Sequence, residues 1–208
     1  MFQESLRGSL AHVGTALKEP EAFALRWHRE SADYRAAVWL ALSVTAILGT
    51  TTYGITMGIG GGVSSIFYKS TLLTLAAGLA WAIPLPALYV LNSLAGSKLR
   101  ASTTLLAALV TTSWGGLALV ASVPISWFFS VAIPAQIGDL YSEVTASRLI
   151  LAINLLVFSG VGLSMADVFG RVMHSLEPCS SGQPFWFLVL VAIIGGDLFY
   201  LFGLLTWL

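Results

Sequence analysis

Asp197 is the residue of this chain best placed to do chemistry in an apolar setting. It stands about twelve residues into the run 184–208, directly after Gly195 and Gly196. A carboxylate at the centre of a lipid-embedded helix costs at least roughly 2.5–3.5 kcal/mol, so such a group is by default a candidate ion or proton site. The bland alternative is a hydrogen-bonded carboxyl turned inward to serines, threonines or tyrosines of neighbouring helices. Asn154 and, more weakly, Asn92 are further polar candidates in apolar runs. Asp167 stands four residues before Arg171, and an i,i+4 ion pair accounts for it.

Other chemistries find little material. His12, His28 and His174 all fall outside the long apolar runs, which argues against a haem held by two buried histidines. Cys179 is the single cysteine, so no internal disulfide is available. Gly58, Gly60, Gly61 and Gly62 suggest a phosphate-cradling loop only where a strand precedes and a helix follows. Here an apolar run precedes them, and a flexible turn is the better reading. No Ser-His-Asp set or His-Glu-x-x-His motif is present, so neither a catalytic role nor a cofactor is expected.

The elements that must position these residues are long and apolar. From Ala36 to Ser97 the chain has 62 residues and one charged side chain, Lys69; from Ala101 to Gly138 it has 38 residues and none. Overall 10% of residues are charged and 57% hydrophobic, with a mean hydropathy of +0.85. Soluble domains carry about a quarter charged residues, whereas a bilayer span needs about 20 mostly apolar ones. The chain therefore reads as an all-α, polytopic transmembrane bundle. Five spans are expected, at about 36–57, 70–95, 102–123, 146–170 and 184–208. Pro84 and Pro86 would form a hinge in the second, and Pro124 should kink or end the third. A sixth crossing arises only if 124–133 joins a hairpin.

Residues 1–35 read as a cytoplasmic amphipathic arm. Phe2, Leu6, Leu10, Val13 and Leu17 recur at helical spacing, and Pro20 suits the first turn of a second helix carrying Phe23 and Trp27. Such an arm lies in the headgroup region, docks on a partner, or closes on its own bundle as a lid. Eight lysines and arginines on one side of the five-span scheme face Lys69 and Arg148 on the other. That bias puts the N-terminus in the cytoplasm and the C-terminus outside, as in a bacterial cytoplasmic membrane protein. No basic run points to nucleic acid.

Small residues mark where helices could meet. Gly54 and Gly58 form a G-x-x-x-G on the first span, Gly115 and Gly116 lie on the third, Gly160 and Gly162 on the fourth, and Gly195 and Gly196 on the fifth. In lipid, such residues let backbones approach, within the chain or against other subunits or a second copy.

Pro20-Glu-Ala-Phe23 before the first span, Pro86-Ala-Leu-Tyr89 late in the second and the turn from Gly96 to Arg100 resemble elements of the Yip1-type membrane protein family, in its bacterial branch. The resemblance covers about residues 18–208 and implies five spans and a non-enzymatic role in membrane organisation. Asp139-Leu140-Tyr141 lacks the glycine of the family's Asp-Leu-Tyr-Gly element and falls in a predicted outer loop, so GTPase recruitment is not carried over. Two functions follow as expectations: a scaffold, membrane organiser or accessory subunit, or a small ion- or solute-coupled transporter using Asp197.

Overall fold

A helix satisfies all the backbone groups of a long uncharged run within the run itself, away from water. A computed structural model of the chain describes residues 13–29, 36–94, 97–137, 143–177 and 185–202. Among these every regular element is helical. After a helical stretch at 13–18, the elements are α1 (Pro20–Arg29), α2 (Ala36–Gly58), α3 (Gly62–Ala82), α4 (Leu85–Leu94), α5 (Ala101–Ile137), α6 (Glu143–Leu176) and α7 (Phe185–Leu201). Three apolar helical stretches, 38–90, 101–132 and 148–176, are long enough to cross a bilayer, and a shorter apolar helix covers 188–201. This is a membrane protein.

The stretch 38–90 folds back on itself. A single 3₁₀ turn, Ile59–Gly61, leads into Gly62 at φ +80°, a conformation that side chains resist and glycine accepts. From that turn α2 and α3 run antiparallel in constant register. A Cβ added at Gly58 would stand 2.5 Å from Ile66 Cα, and one at Gly54 would stand 2.5 Å from Ser70 Cα. One turn further along, the hydroxyls of Thr50 and Thr51 each lie 3.1 Å from that of Thr74. The G-x-x-x-G pair thus seals a hairpin within the chain. Each leg, at 1.5 Å per residue, is about 30–35 Å long and could cross a bilayer alone.

α3 ends at Ala82 because Pro84 offers no N–H to the preceding turn. The chain re-enters helix at once, with Leu88 N–H donating to the Pro84 carbonyl at 2.9 Å. The expected second span, 70–95, is therefore two helices, and the first of them begins eight residues earlier.

α5 differs more. It continues through Pro124 to Ile137 instead of stopping near Val123. Pro124 is exposed on the helix surface. In apolar surroundings a proline frees one carbonyl, whereas breaking the helix would leave several backbone groups unpaired. Trp127 and Phe128 consequently ride on this helix, both exposed.

Direction alternates through the bundle. α5 runs parallel to α2: Ser113 Oγ lies 2.8 Å from the Leu42 carbonyl, and Gly116 faces Ala46 and Gly49. α6 returns antiparallel to α5, with Gly115 against Met165. α7 is antiparallel to α3: Leu188 and Val191 pack in the cluster that holds Trp81, Gly195 meets Ala80, and Leu198 and Phe199 pack in the cluster that holds Leu73 and Ala76.

The described part of the arm closes on its own bundle. Val13, Ala16, Phe23 and Trp27 are buried with Val38, Leu42, Leu106 and Val110, and Trp27 meets Trp39 edge-on at 5.7 Å. Phe2, Leu6 and Leu10 lie outside the described residues. Arg171 joins α1 to α6, donating to Glu21 at 2.6 Å and to Asp167 at 3.0 Å. With its side chain 53% exposed, the Glu21 pair is worth about 0.2–1 kcal/mol. A buried phenyl ring is worth about 1.5–3 kcal/mol. Accordingly, Phe23→Ala is expected to make the arm accessible to protease in micelles, while Glu21→Gln leaves its protection nearly intact.

Candidate functional site: a buried polar node and an outward carboxylate

Three helices contribute one polar group each to a common point. Tyr53 on α2 is fully buried, and Ser126 on α5 and Asn154 on α6 are each 3% exposed. The Tyr53 hydroxyl donates to Asn154 Oδ1 at 2.8 Å and lies 2.6 Å from Ser126 Oγ. A phenol has a single proton, so when that proton goes to Asn154 the serine must donate to the tyrosine oxygen. Ser126, Tyr53 and Asn154 thus form a directed chain of two hydrogen bonds. Phe158 meets the tyrosine ring edge-on at 5.3 Å, and Phe199 of α7 meets Phe158 at 4.8 Å, so the last helix is tied to the same centre.

All three polar groups are neutral hydrogen-bonding groups. Their arrangement orients side chains and fixes helix register, and it pairs no acid with a base. Among the described residues no three His, Cys, Asp or Glu side chains converge as a metal site requires. His28 and His174 are exposed at the arm end of the bundle. Cys179 and Asp139 to Tyr141 lie outside the described residues, as does the side chain of Asn92.

Asp197 is not part of the node. α7 turns Leu188, Val191, Gly195, Leu198 and Phe199 toward the bundle. At about 100° per residue, Asp197 lies roughly 200° round the helix from Gly195, nearly opposite this stripe. It is exposed, beside Ile193 (56%), Gly196 and Tyr200 (70%). The alternative of an inward carboxyl hydrogen-bonded to neighbouring spans does not match this exposed position. The helix has one apolar packing stripe, and the carboxylate is on the other side.

The remaining small residues divide in the same way. Gly54 and Gly58 are at close contacts, whereas Gly160, Gly162 and Gly196 have open space where a Cβ would stand, and Gly195 makes an ordinary 3.5 Å contact with Ala80. Gly160 and Gly162 are flanked on α6 by exposed Leu155, Leu156 and Leu163. At the arm end, Glu177 accepts from Ser97 Oγ at 2.9 Å and from Lys98 N–H at 3.0 Å, closing the loop before α5 onto the end of α6. Pro84 is buried at the α3–α4 break, and Pro86 is exposed in the first turn of α4.

Two close contacts have no signature in the sequence. Ser126 lies beyond Pro124, outside the run 102–123 that the sequence predicts as the third span. Gly49 faces the backbone of Gly116, and nothing local distinguishes it from the other glycines. Searches against protein-family profiles, curated proteins and solved structures found no match to this chain.

Proposed function

We propose that this is a non-catalytic integral membrane protein that serves as a scaffold, membrane organiser or accessory subunit, with an organisation like that of Yip1-type proteins. The observation that carries this reading is the outward position of Asp197 amid exposed apolar side chains. Ionisable groups within membranes almost always face protein or water. A carboxylate on the outer side of an apolar helix is accounted for when another subunit covers it. The open glycines of α6 and α7 give that subunit room to approach.

In this reading the two legs of the α2–α3 hairpin, α5, α6 and α7 make five crossings. The arm, the 97–100 loop and the end of α6 face the cytoplasm of a bacterial cell, and the C-terminus faces outward. The alternating helix directions support the count. The gathering of Glu21, Arg171, Lys98 and Glu177 at one end supports the grouping of charges.

Mild-detergent extraction from the native membrane followed by native mass spectrometry tests the proposal. The expected result is an assembly of fixed stoichiometry, heavier than the 22.1 kDa chain. A lone chain that conducts protons or ions in liposomes, with Asp197→Asn abolishing the flux, would establish the transporter instead.

A further inference from the structure

We infer that the outer face of α7 docks a transmembrane helix of another protein that carries an arginine or lysine at mid-depth, with Asp197 as its counter-ion. The inference rests on the accessory-subunit reading and names the chemistry of the partner. Asp197 lies near the middle of the bundle's depth: its neighbour Gly195 contacts Ala80, and the adjacent Leu198 packs in the cluster of Leu73 and Ala76. At that level α2 is midway along its length. A carboxylate held there facing lipid is complemented best by a cation at the same depth, since intramembrane charges pair with one another.

Among the described residues, a second copy of this chain places no lysine or arginine at that depth. α2, α5 and α7 contain no lysine or arginine. Lys69 sits toward the hairpin turn, beside the Gly54–Ser70 contact. Arg148 precedes Asn154 toward the same end, and Arg171 is at the opposite end, paired with Glu21. The charge therefore specifies a different chain. Gly196 beside the carboxylate has no atom within 4 Å of a Cβ position, so a partner backbone can come close there, between the exposed side chains of Ile193 and Tyr200.

The test uses the full chain in phosphatidylcholine vesicles, labelled at Cys179, with two acceptor-labelled polyleucine transmembrane peptides. One peptide has a single mid-depth arginine and the other has leucine at that position. Energy transfer should show the arginine peptide associating at least about tenfold more tightly than its twin. Asp197→Asn should remove the difference and Asp197→Glu should retain it. Equal association of the two peptides overturns the inference, as does an arginine preference that survives Asp197→Asn. Self-association lost in Asp197→Asn, with no response to either peptide, also overturns it by assigning the face to a second copy. A stoichiometric native assembly unaffected by Asp197→Asn would leave the accessory role standing while removing this inference.

Discussion

Gly49→Val should cost the bundle at least about 3 kcal/mol, at the upper end of what overpacking produces. A Cβ at Gly49 would overlap the peptide of Gly116 on α5. Because the obstacle is backbone, no rotamer change relieves it. The two helices must separate, and their other contacts separate with them. Gly116 is already tight against Ala46, at 3.2 Å from its own Cβ position. The Ser113 hydroxyl reaches the Leu42 carbonyl, and Tyr53 reaches Ser126 along the same seam. Valine therefore disturbs the whole α2–α5 interface. Unfolding in mixed micelles by added sodium dodecyl sulfate, followed by circular dichroism, reads the effect. Gly160→Val, where a Cβ has open space, serves as the matched control and should stay within about 0.5 kcal/mol of wild type. If Gly49→Val unfolds together with that control, the two backbones are not in contact.

What could be read from the sequence was whatever is local. The end of α2 in the glycine cluster follows from where side chains stop. The Asp167–Arg171 pair follows from i,i+4 spacing. The second partner of Arg171, Glu21, is 150 residues away and requires the arm to fold back over α6. The continuation of α5 beyond Pro124 was not legible, because proline kinks or ends a helix in water, whereas in apolar surroundings unpaired backbone is costlier than one missing hydrogen bond. Ser126 lies on that continuation, so the node was hidden, although Asn154 is visible as an amide in an apolar run. The outward direction of Asp197 was not legible, because α7 is apolar nearly all round and its packing stripe is chosen by α3.

Tyr53 should separate the energetics of shape from those of hydrogen bonding. Tyr53→Ala removes a fully buried ring that touches Phe158 and packs with Leu73, Ala76 and Leu119, and the expected loss is about 3–5 kcal/mol. Tyr53→Phe keeps the ring and deletes the hydroxyl that both receives from Ser126 and donates to Asn154. Interhelical hydrogen bonds in membranes average about 0.6 kcal/mol and reach about 1.7, so two of them predict a loss of about 1–2 kcal/mol. Asn154→Leu should cost a similar amount, because it removes the amide acceptor and leaves the phenol only Ser126 Oγ as a partner. The double variant Tyr53→Phe/Asn154→Leu should then be less harmful than the sum of the singles, since each has already broken the shared bond. Strict additivity in the same detergent titration would show that the hydroxyl and the amide do not interact. The node would then be an accident of packing, and the register of α2, α5 and α6 would rest on the glycine contacts and the Ser113–Leu42 bond.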